Sequence, residues 1–80
     1  MKIVGWSPKE RIITAEHVIK VEVGEEEIEK EADRIRKHYL VQLGRPSIIT
    51  WKKLKTRLTF EIMFKSRSKE EAEELLSKLS

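Results

Sequence analysis

His17 and His38 are the two imidazoles of this 80-residue chain, and no cysteine accompanies them. Imidazole and thiolate are the side chains that most readily hold zinc or move protons near neutral pH. The two histidines lie far apart, with no His-x-x-x-His spacing to put both rings on one helix face. Glu25, Glu26 and Glu27 bunch together, but acidic residues at a helix start are favoured by its dipole and imply no metal. Three scattered glycines form no phosphate-binding loop. No serine has an obvious neighbouring base. These absences predict a non-enzymatic protein with no cofactor and no metal.

The chemistry that remains is electrostatic. Residues 45–67 read RPSIITWKKLKTRLTFEIMFKSR, with seven positive charges against Glu61 alone. The net charge of +3 hides a strong segregation. Residues 1–33 hold five Lys/Arg against nine Asp/Glu, residues 34–67 hold ten against one, and residues 68–80 hold two against four. Such asymmetry along a chain points to an anionic partner. Each cation that meets a phosphate releases condensed counterions, so several on one basic hairpin surface suggest a nucleic-acid-binding or regulatory module, expected to act as a homo-oligomer. The candidate contacts are Arg45, Trp51, Lys52, Lys53, Lys55, Arg57, Lys65 and Arg67. Trp51 would stack on a base if it faces outward and would be core if it faces inward. Arg34, Arg36 and Lys37 could extend the patch. Neither DNA nor RNA is singled out. The plainer alternative is a solvent-facing strand pair, its long basic side chains lying over apolar surface and discouraging edge pairing.

These cations need elements to hold them. SKEEAEELLSKLS opens on Ser68 with Glu71 three residues later, a capping box, and Ala72, Leu75, Leu76 and Leu79 share one helical face. A helix is expected over 68–79. Residues 25–43 form a second, with Ile28, Ala32, Ile35 and Tyr39 as its apolar stripe. Glu26–Lys30 and Asp33–Lys37 are its i,i+4 pairs, and Gly44 and Pro46 end it. RIITAEHVIKVEV alternates with period two and reads as one long strand, after a short strand KIVGW and a turn SPKE. RLTFEIMFK is a strand with Leu58, Phe60, Ile62 and Phe64 inward. SIITWKKLK is β-prone and expected to pair with it. Read instead as a helix, it would place Lys52, Lys53 and Arg57 in a major groove.

The expected fold is therefore α+β: one domain over 1–80, in β-β-α-β-β-α order. It is a two-layer sandwich, a four-stranded antiparallel sheet with both helices on one face. Drawn geometrically, it is a ferredoxin-like sandwich whose last strand has moved to the front. Leaving one sheet face uncovered exposes Ile12, Val18 and Met63, with Trp51 if it turns outward. That suggests a second role, a protein-interaction or assembly module forming a homodimer through the open face or the Ile-rich edge.

No apolar run is long enough for a membrane span, and MKIVGWSPKE is too weakly apolar for a secretory leader. A reducing, cytoplasmic setting is expected. One Asp against thirteen Glu, no Asn and one Gln match thermophile usage. Designed proteins share that bias, so a designed chain is the third alternative, but GWSPKER and YLVQLGRPS are not idealised stretches.

Overall fold

Six elements follow one another in the computed structural model, which describes residues 1–79. They are strand β1 (Lys2–Ser7), strand β2 (Ile12–Lys20), helix α1 (Glu25–Leu43), strand β3 (Ser47–Leu54), strand β4 (Arg57–Lys65) and helix α2 (Lys69–Ser77). The strands form one antiparallel sheet in the order β1-β2-β4-β3. The class is α+β.

Alternation in β4 sets the layers. Leu58, Phe60, Ile62 and Phe64 are buried, while Arg57, Glu61 and Lys65 between them are exposed. Cross-strand partners share a face. Ile13, Ala15, His17 and Ile19 of β2 therefore lie on the inward side with them, as do Ile49, Trp51 and Lys53 of β3. Ile28, Ala32, Tyr39 and Leu43 of α1 join the same buried cluster, together with Ala72 and Leu76 of α2. The Tyr39 and Phe60 rings pack edge to face, with centroids 5.6 Å apart.

The helix boundaries follow local chemistry. α1 begins after Gly24, which offers no side-chain cap, and ends at Gly44 with φ 61°, a left-handed conformation that glycine adopts at little cost. In α2 the Ser68 hydroxyl accepts from the Glu71 backbone N–H at 3.1 Å. The reciprocal half of the expected box is diverted, because the Glu71 carboxylate pairs with Arg45 instead.

Residues 48–56 contain no helix, so the major-groove arrangement is absent. β2 is shorter than its alternation suggests. It ends at Lys20, and the Val21 N–H leaves the ladder to bond the Thr56 carbonyl. Val21 stays buried while Val23 is exposed. The sheet has unlike edges: the β1 register shifts between Ile3 and Gly5, a bulge, whereas β3 keeps an unbroken register from Ser47 to Leu54.

Candidate nucleic-acid interface

The uncovered face can be drawn from the register. At the β3–β4 hairpin end, Lys20 stands directly opposite Arg57, with Leu54 beyond. The next row holds Val18, Thr59 and Lys52. A central row follows with Lys2, Glu16, Glu61 and Thr50, then one with Thr14, Met63 and Ile48, and finally Ile12 with Lys65.

Lys20 and Arg57 are like charges with Cβ atoms about 5 Å apart, an arrangement that destabilises a sheet. Lys52 is one row away and Lys55 sits in the turn. Among the described residues none of the four has an acidic partner within ion-pair distance. Lys55 has φ 57°, a left-handed backbone that a lysine adopts only at a cost. Lys53, in contrast, is half-buried on the helix side and pairs with Glu25 at 3.1 Å.

The other predicted cations lie at the far end. Arg57 and Lys65 are separated by the length of β4, about 26 Å at strand rise. Lys65 and Arg67 are exposed, and no ion pair among the described residues holds either. Arg45 is held by Glu71 at 3.2 Å and by the Lys65 carbonyl at 3.1 Å, with its guanidinium 5.8 Å from the Phe64 ring centroid. The eight expected contacts thus do not form one plane. Lys52, Lys55 and Arg57 gather at one end and Arg45, Lys65 and Arg67 at the other, with Glu16 opposite Glu61 between them. Alternation explains the split: successive side chains in a strand take opposite faces, and a nine-residue strand carries its two ends far apart.

Trp51 faces inward, opposite Phe60, and packs on the core margin. Ile48, Leu54 and Val18 are exposed large apolar side chains on the open face, at 64%, 67% and 49%. Arg34, Arg36 and Lys37 do not extend the patch. They lie on α1 and are paired with Glu31 or Asp33. Those guanidinium and ammonium groups hold the Glu31 and Asp33 carboxyls below their ordinary range. Glu26 makes none of the observed ion pairs, whereas Asp33–Lys37 forms as spaced.

His17 lies half-buried beside Tyr39, ring centroids 5.6 Å apart, and the His38 ring is tilted against Tyr39 at 6.2 Å. Burial, with the nearby amino terminus, lowers the His17 pKa. No cluster of three or more His, Cys, Asp or Glu able to hold a metal occurs among the described residues. No described helix is long and apolar enough to cross a membrane.

Sequence reading missed Lys20 and Arg11. Lys20 falls on the outward phase of its strand, but its meeting with Arg57 depends on the β2–β4 register. Arg11 has φ 56° in a turn position where glycine or asparagine would be expected, so its residue type gives no signal.

No family model, curated protein or solved structure matches this chain. Geometry and charge are therefore what bear on its function.

Proposed function

We propose that the chain is a non-enzymatic nucleic-acid-binding module that grips phosphates with the hairpin end of its open sheet face. The observation that carries this reading is the uncompensated quartet Lys20, Lys52, Lys55 and Arg57. A like-charge cross-strand pair weakens the free protein and is relieved by an anion. With Trp51 turned inward, no base-stacking platform supplements the cations. Contact is therefore with the backbone, and sequence preference is slight. The order β1-β2-β4-β3, with β4 between the parallel β2 and β3, supports the permuted ferredoxin-like geometry, which itself implies no activity.

The test is a salt series. Four phosphate contacts predict a log–log slope near −3.6, so affinity for a generic duplex falls roughly 100-fold from about 50 to about 200 mM salt. Lys20→Glu with Arg57→Glu abolishes binding while folding persists. Binding that ignores salt, or survives that double change, ends the reading.

A second reading has one observation in its favour. Glu61 and Lys65 flank Met63 two residues to either side on the open face. A two-fold axis across the Met63 row would set Glu61 of one copy against Lys65 of another, twice, and bring Met63 and Ile48 onto their own images. An axis through the Glu16–Glu61 row would instead stack carboxylates on carboxylates. Sedimentation separates the readings: this homodimer dissociates on Met63→Lys, and a monomer at high concentration removes it.

A further inference from the structure

The end of the sheet remote from the hairpin carries two adjoining cavities of unlike chemistry. The first, of about 510 Å³, is lined by Glu10, Arg11, Arg45, Lys65, Arg67 and Glu71, with the buried Ser66 among them. The second, of about 320 Å³, is formed chiefly by Ile12, Pro46, Ile48, Met63 and Phe64, and Lys65 lines it as well. Four cations thus converge on one recess against two carboxylates. Glu71 is already engaged by Arg45. Arg45 is itself fixed by the Lys65 carbonyl and the Phe64 ring, so its guanidinium is oriented before any ligand arrives. Arg11 holds its left-handed backbone while its carbonyl accepts from the Ser66 N–H at 2.9 Å. Arg11 thus occupies a position where glycine would relieve strain, and such outliers cluster at ligand-binding sites. Arg11, Lys65 and Arg67 have no acidic partner among the described residues.

From this pairing we infer that the sheet end binds an organic phosphate monoester such as a mononucleotide. Its phosphate enters the Arg11–Arg45–Arg67 recess, and its ring lies on the Ile12–Ile48–Met63 groove, with Lys65 at the junction. Guanidinium groups match phosphate oxygens in pairs, and a thioether beside branched aliphatics accepts a flat ring. The site is independent of the hairpin quartet. The same chemistry would serve a free mononucleotide or the terminal phosphate of a strand.

Amide and methyl NMR titration of the full chain tests it, with AMP, inorganic phosphate, adenosine and a short oligonucleotide with and without 5′-phosphate. All are compared at matched ionic strength. AMP is expected to shift Arg11, Ser66 and Arg67 together with Ile48 and Met63, and inorganic phosphate the first set alone. Arg67→Ala weakens AMP about tenfold or more, while Ile48→Ser weakens AMP but not inorganic phosphate. Oligonucleotide binding at this end that requires the 5′-phosphate identifies a strand terminus as the source, and saturation by AMP alone identifies the free nucleotide. Absence of saturable shifts at Arg11, Ser66 and Arg67, or equal shifts with adenosine, overturns the inference. Lys20→Glu with Arg57→Glu leaves these shifts intact, so loss of duplex binding and loss of this site are separate results.

Discussion

Two cations sit in left-handed backbone, Arg11 and Lys55, one at each basic end of the sheet. An L-residue with a side chain is disfavoured there by about 1–2 kcal/mol, and glycine is not. Part of the relief is offset because glycine enlarges the unfolded ensemble. Arg11→Gly and Lys55→Gly should therefore each raise stability by about 0.5–1 kcal/mol in urea unfolding, while Lys55→Gly weakens duplex binding and Arg11→Gly weakens AMP binding. Stability that falls instead would mean that the side chains pack and that their charge is incidental. His17 supplies a pH dependence. Its pKa is lowered from 6.5 by burial first. The unfolded chain then holds more protons across the window just below 6.5, so stability is full above that value and is lost as pH falls through the window. Urea midpoints on the two sides of that window, at about pH 7.5 and about pH 5.5, should differ in that direction, and His17→Phe, still beside Tyr39, should shrink the difference. A left-handed arginine looks like any other arginine in a sequence, whereas the alternation of its strand put His17 on the apolar side, where it lies half-buried.

The elements themselves were far more legible, because their signals are local. Alternation in RLTFEIMFK gave the face of β4 residue by residue, and the acidic start with Gly44 gave both ends of α1. What failed was long-range. β2 stops at Lys20 because Val21 turns to bond the hairpin carbonyl of Thr56, a partner that no neighbour in sequence announces. The Ser68–Glu71 box formed only the half in which the Ser68 hydroxyl accepts, because Arg45, remote in sequence, takes the Glu71 carboxylate. The helix caps give a direct test. Gly24 is extended, has no side-chain cap, and has open space where a Cβ would stand, with nothing within 4 Å. Gly24→Ser supplies a hydroxyl for the first turn and restricts the unfolded chain, so a gain of about 0.5–1 kcal/mol is expected in thermal or urea unfolding. Phe60 is fully buried at the sheet centre, and Phe60→Ala should cost about 3–5 kcal/mol. That is a large share of the total stability of a chain this short, and loss of the cooperative transition is the expected readout.

Taken whole, the molecule is an elongated two-layer body, 41 × 21 × 19 Å, and its two layers differ in charge. The helix layer carries most of the acidic residues, and Glu31 and Asp33 are paired within it, with Arg34 and with Arg36 and Lys37. The open sheet concentrates unpaired cations at its two ends. Segregation of charge was visible in the sequence, but its spatial form was not. The basic middle third lies in two clusters because β3 and β4 run between the ends and because each strand gives alternate residues to opposite faces. Lys53 and Trp51 went to the helix side for that reason. Both tryptophans, Trp6 and Trp51, pack at the core margin. Intrinsic fluorescence should accordingly stay unchanged when duplex saturates the hairpin end, with anisotropy of labelled DNA reporting the binding. Strong quenching would place a tryptophan at the interface and overturn the assignment of that face.

The unequal margins of the sheet have one last consequence. A strand interrupted by a bulge is a poor template for another chain, and an uninterrupted one is a good template. Only the β3 margin is uninterrupted here. Any lateral accretion of this protein must therefore start from that side, and two molecules so joined would show the world nothing but bulged outer strands. Growth would halt once two sheets had met, leaving no seed for a fibril.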